Sequence, residues 1–308
     1  MKPLVSIIIP SYNQGKFIRE TIDSILAQDY RPVEILVMDG GSNDGTLAVL
    51  ESYGSIPELN WRSEPDKGVT DAVNKGLARA HGDIIAIQSS DDVYLPGAVA
   101  AVVDFMQQNE DAALVFGDVE LMDEHSRLIG RDIQGPFDFN SYVGRFSYIP
   151  QPAAFFRAGA AREAGGWRAE VSYAADADFW LRIAAKQKVL KIDRVLGRYR
   201  YHSEQRDTQS ARIARDWEKT VLDLVATHDI GAVAERYARM GIYLAKYRYA
   251  PTDAWFRRTC FLYRALLSNP PAVAHDHFPK RELLPGREPI WKILSHIKQA
   301  LGFKPRIS

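Results

Sequence analysis

The sequence predicts an α/β fold in which helices flank a doubly wound, mostly parallel sheet. Three short runs, residues 4–9, 33–38 and 83–87, are continuously apolar and rich in β-branched side chains. Such runs are typical of strands that are buried on both faces. Segments with helical spacing lie between them, and strands that alternate with helices form a parallel sheet.

Each predicted helix rests on its own pattern. The apolar positions with helical spacing are Ile18, Ile22 and Ile25 in the first segment, and Val69, Val73 and Leu77 in the third. A short helix is expected after Asp44, another from Pro96, a strand over 113–121 and a helix over 175–186. Residues 130–160 read as loops and short strands that line an acceptor cleft, or as an ordinary connection. The chain is mostly helical beyond 205, which predicts a main domain over 1–205 and a helical C-terminal extension over 206–308.

Composition limits the classes of function. With 308 residues, 46% of them hydrophobic, the chain can bury one large core and carry a smaller appendage. Basic and acidic residues both number 39, so no net charge points to nucleic acid as a partner. Cys260 is the only cysteine, which excludes an internal disulfide framework and a Cys-rich zinc site and suits the cytoplasm.

Membrane contact is expected to be peripheral at most. The apolar run near Met1 is too short for a signal peptide, and no run reaches the roughly 18 apolar residues that a spanning helix needs. Residues 291–306 combine apolar side chains at helical spacing with several basic ones, which predicts weak binding to the inner face of the plasma membrane. A terminal helix packed on the domain and a subunit interface of a homodimer are the alternatives.

Polar clusters follow the predicted strands at 10–13, 39–44 and 88–92, where ligands bind in such sheets. The first strand lacks the Gly-x-Gly-x-x-Gly turn of dehydrogenases, and no Walker-type loop occurs. Tyr12 could instead stack on a base, and Asp39 could accept a hydrogen bond from a ribose hydroxyl or a uracil nitrogen. A packing tyrosine and a turn-forming aspartate are the alternatives for the two residues.

Two adjacent carboxylates, Asp91 and Asp92, directly follow the apolar run at 83–87. They would repel each other unless they were solvated or shared a cation. A divalent metal ion, Mg²⁺ or Mn²⁺, is the hypothesis, and it could also hold a diphosphate. The alternative is an N-cap for the helix expected at Pro96.

Five motifs in order resemble family 2 glycosyltransferases of the GT-A fold. They are SIIIPSYN, VMDGGSNDGT, SEPDKGVTDAVNKGLARAHGD, SSDDVYLPGA and ADADFWLRIA, and the resemblance covers residues 4–203. It implies a Rossmann-like GT-A sheet and transfer of a sugar, with inversion, from a nucleotide-diphosphate donor. UDP is the default nucleotide. The implied acceptor is a hydroxyl of a saccharide or lipid-linked saccharide in cell-surface polysaccharide synthesis.

The resemblance also implies roles for single residues. The residues assigned to the nucleotide are Tyr12 and Asp39, with Pro10, Lys67, Asp71 and Ser90 as further candidates. The metal motif falls on Ser89, Ser90 and Asp91, so its first acidic position is a serine here. Asp91 is therefore the expected metal ligand, with His202 as a second; a structural histidine is the alternative. Arg198 and Arg200 could neutralise phosphate, or be ordinary surface arginines.

Asp176 aligns with the general base of the family. On a helix, Asp176 shares a face with Trp180 and Ile183, whereas Asp178 lies about 200° away, so the two carboxylates should not serve one site. An N-capping role is the alternative for Asp176.

The sequence leaves two other functions as alternatives. One is a sugar nucleotidyltransferase, which should have a basic Gly-rich loop after the first strand. The other is a catalytically silent saccharide-binding or scaffold protein, which Ser89 would suit.

Overall fold

The computed structural model describes residues 2–145, 147–203, 210–251 and 254–270. Its contacts divide the chain into two compact units. The first consists of Met1–Phe137 and Tyr148–Thr208, and the second of Asp138–Ser147 and Gln209–Ser308. The short segment Asp138–Ser147 groups with the later helices, and the domain boundary at 205 stays a prediction. The tail at 291–306 lies outside the described residues.

The first unit is built on a nine-stranded sheet in the order β3-β2-β1-β4-β8-β6-β9-β5, with β7 paired to β6. The strands are β1 Val5–Ser11, β2 Val33–Asp39, β3 Leu59–Ser63, β4 Ile84–Ile87, β5 Val93–Tyr94, β6 Ala112–Met122, β7 Leu128–Asp132, β8 Ala154–Arg157 and β9 Lys188–Arg200. The predicted runs at 4–9, 33–38, 83–87 and 113–121 are thus confirmed as β1, β2, β4 and β6.

Strand direction explains where the site lies. β1 is parallel to β2 and β4, and β2 is parallel to β3. β8 is antiparallel to both β4 and β6, and β6 is parallel to β9. β6 and β9 therefore run in the same direction as β1 to β4. The loops after β1, β2, β4, β6 and β9 consequently leave the sheet at one edge.

Helices cover both faces of this sheet. They are α1 Ile18–Leu26, α2 Thr46–Glu51, α3 Val69–Arg79, α4 Ala98–Gln108, α6 Ala158–Ala164 and α7 Ala175–Ala184 in the first unit. Ile7 and Ile9 of β1 belong to one apolar cluster with residues of α1 and α4. On the opposite face, a Cβ added at Gly76 of α3 would come within 2.3 Å of Ile8 Cγ2. Gly76 therefore allows α3 to approach β1 closely.

Several local predictions differ from the structure. The helix expected from Pro96 begins at Ala98, behind an N-cap at Gly97 and the short strand β5. The short strands expected within 130–160 are present as β7 and β8, but the helix α5 Phe139–Val143 between them was not expected. β9 was not expected. Its apolar residues are interrupted by Lys191, Asp193 and Arg194, so its pattern does not match a strand buried on both faces.

The second unit is helical, as predicted for the C-terminal part of the chain. It contains α5 together with α8 Ser210–Thr227, α9 Gly231–Tyr249 and α10 Trp255–Ser268. The ring of Tyr142 meets that of Trp217 edge-on at 6.3 Å, and the Arg145 guanidinium lies 4.8 Å from the Trp217 ring centroid. No described helix is both long and apolar enough to cross a bilayer.

Candidate active site

Asp39 is the centre of a buried hydrogen-bond network at the end of β2. Its side chain is nearly inaccessible. Oδ2 accepts hydrogen bonds from the Gly41 and Ser42 amides at 3.1 and 2.9 Å and from the Ser63 hydroxyl at 2.6 Å. The Ser42 hydroxyl donates to Oδ1 at 2.5 Å. The carboxylate therefore fixes the loop after β2 and ties it to the end of β3.

The loop after β1 is bonded to the same network. Asn13 has a left-handed backbone with φ of 53°, its amide donates to the Ser42 hydroxyl at 2.7 Å, and its side-chain oxygen accepts from the Asn43 amide at 2.9 Å. Tyr12 is 59% exposed beside this junction. Pro10 lies within β1 and is buried. An exposed aromatic ring thus stands next to a rigid, polar loop.

Lys67 and Asp71 lie at the start of α3. The Lys67 amide donates to Asp71 Oδ2 at 3.2 Å, and Lys75 Nζ lies 3.3 Å from the same oxygen. The pKa of Asp71 is below its usual value, chiefly because of the Lys67 amide and further because of Lys75. The Lys67 side chain is exposed. Asp71 is therefore an ionised carboxylate that holds the turn before α3.

Ser89 and Ser90 occupy the first two positions of the predicted metal motif. The Ser89 hydroxyl donates to Gln151 Oε1 at 2.8 Å, and Gln151 Nε2 donates to the Ile87 carbonyl at 2.6 Å. Ser90 is buried. The hydroxyl at the first position is thus used to anchor the loop after β4 to Gln151.

Asp91 and His202 meet at the edge of the sheet although they are 111 positions apart in the chain. Asp91 Oδ2 lies 2.9 Å from His202 Nε2, and the His202 side chain is 4% exposed. Asp92 faces another partner, because its Oδ1 accepts from the Arg200 amide at 2.8 Å. Neither carboxylate caps α4, whose N-cap is Gly97.

The Asp91 and His202 pair fits a divalent cation. Two ligands that bind one octahedral ion at about 2.1 Å and at right angles lie about 3 Å apart, which is close to the 2.9 Å found here. Among the described residues, no group of three or more His, Cys, Asp or Glu side chains is arranged around one point. Any ion would therefore need oxygens from a phosphorylated ligand or water to complete its coordination.

Asp176 and Asp178 have different environments on α7. The helix begins at Ala175 with an N-cap at Ala174, so Asp176 lies within the first turn and is not the cap. Asp176 is partly exposed. Asp178 is completely buried and accepts from Arg168 and from Arg182, whose Nε lies 2.9 Å from Oδ2. The second carboxylate is committed to two arginines.

A family model described as Glycosyl transferase family 2 matches residues 6–165, just over half of the chain. The chain belongs to glycosyltransferase family 2. A glycosyltransferase of Mycobacterium tuberculosis is 35% identical to this family 2 protein over 188 residues, which is 59% of this chain and 69% of the relative. Chondroitin synthase of Escherichia coli is 28% identical over 81% of this chain. The match covers about a third of the length of the synthase.

Solved structures confirm the GT-A type of α/β fold for this family 2 glycosyltransferase. S. aureus TarS 1-349 in complex with UDP-GlcNAc has a TM-score of 0.66 at 14% identity, over 86% of this chain and 81% of that one. The mannosyltransferase PcManGT of Pyrobaculum calidifontis, in complex with GDP-Man and Mn²⁺, has a TM-score of 0.64 at 20% identity, over 99% of this chain and 81% of that one.

Sequence analysis missed the residues that support the family 2 site. Ser42 follows Asp39 by three positions, a spacing at which an aspartate commonly bonds its own loop, so this partner had a local signal. Ser63 and Gln151 had none, because each belongs to another strand or loop and becomes a neighbour only through the sheet order.

Proposed function

We propose that this family 2 glycosyltransferase moves a sugar from a UDP-sugar to a hydroxyl of a saccharide or lipid-linked saccharide, with a divalent metal and with inversion. The observation that carries the proposal is the contact between Asp91 and His202 at 2.9 Å. It lies at the edge where the loops after β1 and β2 also leave the sheet. A donor that lies along this edge can reach both the Asp39 network and the metal-binding pair.

The nucleotide part of the proposal rests on Tyr12 and Asp39. The exposed ring of Tyr12 would stack on the base, since aromatic faces bind bases without a specific hydrogen bond. Asp39 would accept from the ribose or the base after one of its serine donors turns aside. Pro10 would shape the base pocket through the path of β1.

The remaining nucleotide contacts are proposed near the phosphates and sugar. Lys67 would reach the donor with its exposed ammonium group, and Asp71 would hold the turn that carries Lys67. Ser90 would contribute from the loop after β4.

The Asp91 carboxylate and the His202 imidazole would hold Mg²⁺ or Mn²⁺ together with oxygens of the donor diphosphate. When bound, such an ion neutralises the charge that develops on the departing diphosphate. The protein contributes a single carboxylate charge at this point, because Ser89 is not acidic and Asp92 is turned toward Arg200. We therefore expect metal and nucleotide to bind together more tightly than either alone.

Asp176 is the proposed general base. It is partly exposed at the start of α7, where an acceptor hydroxyl can approach, whereas Asp178 is buried between two arginines. Removal of the acceptor proton by Asp176 while the hydroxyl attacks the anomeric carbon opposite the diphosphate would invert that carbon in one displacement.

The acceptor proposal rests on family membership and on the relatives. Chondroitin synthase is a polysaccharide synthase by name, which supports a role in cell-surface polysaccharide synthesis. We propose that this reaction takes place in the cytoplasm or at the inner face of the plasma membrane. The tail at 291–306 would make that contact, or else a subunit contact in a homodimer.

A panel of nucleotide sugars tests the proposal. Purified protein should hydrolyse one donor slowly with Mn²⁺ and transfer its sugar when an acceptor is added, and the product should show the inverted anomeric configuration by NMR. At a fixed, limiting Mn²⁺ concentration Asp91→Asn should lose most of both reactions, whereas Asp104→Asn, on the exposed side of α4, should keep them. Saccharide binding without hydrolysis or transfer of any donor would instead favour the silent binding protein that Ser89 suggests.

A further inference from the structure

Arg200, at the end of β9, is completely buried although its side chain is charged. Its Nε donates to the backbone carbonyl of Asp91 at 2.7 Å. Nη2 donates to Glu20 Oε2 at 2.5 Å, and Nη1 donates to the Ser126 hydroxyl at 2.8 Å. The sequence allowed a surface arginine or a phosphate ligand at this position. The structure instead commits the guanidinium to three segments of the protein.

Each partner of Arg200 is itself fixed. The Ser126 hydroxyl also donates to Glu20 Oε2 at 2.8 Å, so the guanidinium, the carboxylate and the hydroxyl close a triangle. Ser126 has a left-handed backbone with φ of 62° in the turn after β6, a conformation that few side chains adopt without support. Glu20 lies in the first turn of α1. The triangle thus joins α1, the turn after β6 and the end of β9.

Arg200 also acts on His202 through an aromatic ring. The guanidinium lies 4.8 Å from the centroid of the Phe17 ring, and the imidazole of His202 packs against the same ring with centroids 4.9 Å apart. Lys16 Nζ also lies 5.0 Å from this centroid. Phe17 is buried immediately before α1. The orientation of the imidazole is therefore set by a ring that Arg200 holds.

We propose that Arg200 is a positioning residue that keeps Asp91 and His202 at the separation required to bind one metal ion. It bonds the main chain of Asp91, and it holds the ring against which His202 packs. The proposal rests on the metal site of the proposed function. Groups that orient metal ligands change metal affinity typically by about tenfold to a hundredfold when they are replaced.

Substitution by lysine separates charge from geometry. Arg200→Lys keeps the positive charge but cannot donate to Asp91, Ser126 and Glu20 at the same time, because an ammonium group lacks the planar fork. We expect the Kd for Mn²⁺, titrated into the full chain at a fixed UDP concentration, to rise at least tenfold. UDP affinity measured without metal should change less than twofold, because Asp39 is not bonded to this network.

A second readout needs no metal. In protein labelled with ¹⁵N-histidine and kept in EDTA at constant pH, the ring nitrogens of His202, assigned with His202→Gln, report the contact with Asp91. We expect Arg200→Lys to shift these resonances toward those of an exposed histidine. This measurement tests Arg200 separately from the proposed metal site. If the wild-type protein bound no Mn²⁺, the metal site would be wrong, but the comparison of His202 resonances would still show whether Arg200 positions His202.

Matched variants control for loss of folding. Arg131→Lys changes the same residue type on β7, where Nε donates to Glu120 at 3.2 Å, and should leave Mn²⁺ affinity within about twofold. Glu20→Gln, whose side chain is 45% exposed, weakens the two sides of the triangle that meet at Glu20 but keeps the Arg200 bond to Asp91, so it should raise the Kd by a smaller factor than Arg200→Lys. If folded Arg200→Lys and Glu20→Gln both keep the wild-type Kd and His202 resonances, the proposal is wrong.

Discussion

Asp178 and Arg182 form an ion pair one helical turn apart on α7, in which Arg182 Nε donates at 2.9 Å to a carboxylate that is completely buried. Arg168 binds both oxygens of the same carboxylate, Nη2 to Oδ1 and Nε to Oδ2 at 3.1 Å. The two arginines remain partly exposed, at 28% for Arg168 and 15% for Arg182, so water reaches the positive side of the cluster.

Replacing either aspartate of α7 should separate folding from chemistry. Asp178→Asn leaves two arginines without their counter-charge, and we expect it to lower the free energy of unfolding by about 3 kcal/mol, the lower end for a broken buried pair. Asp176→Asn should change stability by less than about 1 kcal/mol, but should reduce transfer by about a hundredfold to ten-thousandfold. Urea unfolding and a transfer assay on both variants measure the two effects.

The opposite outcome would move the general base. If Asp178→Asn remained as stable as the wild type and lost transfer, while Asp176→Asn kept it, the role of the base would belong to Asp178. Nucleotide binding should survive in both variants, because Asp39 and its partners lie on other strands.

Asp91 and His202 should behave as one unit toward metal. Asp91→Asn and His202→Gln should each raise the Mn²⁺ concentration required for half-maximal transfer, because each removes a proposed ligand. The double variant should raise it by less than the product of the two single effects, because loss of either residue already breaks the proposed two-point contact with the ion. Initial rates over a Mn²⁺ series give the three values. Full wild-type activity in excess EDTA would contradict the metal requirement.

Gly76 should tolerate no larger side chain. An added Cβ would come within 2.3 Å of Ile8 Cγ2 in the core, so we expect Gly76→Ala to lower the free energy of unfolding by about 1 to 3 kcal/mol. Gly159→Ala is the matched control. Gly159 also lies in a helix but is exposed, and a Cβ added there would meet only Arg162 Nη2, at 3.9 Å. That variant should be unchanged or more stable by up to about 1 kcal/mol. Thermal unfolding of both would show whether α3 can move away from β1.

The turn after β6 should lose stability in acid. The pKa of Asp123 is lowered to about 2, first because the Arg127 side chain donates to it and further because the Arg127 and His125 amides do so. Because its pKa is lower in the folded state, the ionised Asp123 stabilises the folded protein at pH values above the ordinary pKa of an aspartate. This contribution disappears as the pH falls toward 2. Asp123→Asn should therefore be less stable than the wild type at pH 6, and the difference should shrink between about pH 4 and 2. Urea unfolding of both proteins at several pH values measures the difference in their free energies of unfolding. A difference that stays constant down to pH 2 would contradict the prediction.

The sequence predicted the part of the site that local patterns encode. β1, β2 and β4 are buried on both faces and have continuous apolar runs, so the strand ends that carry Tyr12, Asp39 and Asp91 could be placed correctly. β9 could not be placed, because charged residues interrupt its apolar pattern and find their partners inside the fold, as Lys191 does with Asp118 at 3.2 Å. The burial of Arg200 could not be predicted either, because its partners come from distant parts of the chain. Its partner Glu20 is 180 positions away, and no local pattern carries that information.

The late position of β9 in the chain gives the two halves of the site different folding requirements. The Asp39 network joins residues only 24 and 29 positions apart, whereas the contact of Asp91 with His202 closes 111 positions. Closing a long stretch of chain costs more entropy and slows folding. His202 follows β9, so its contact with Asp91 depends on the pairing of β9 with β6. The Asp39 network needs only β1 to β3, so we expect the affinity for Mn²⁺ to respond to local unfolding of β9, and the affinity for UDP to respond to it much less.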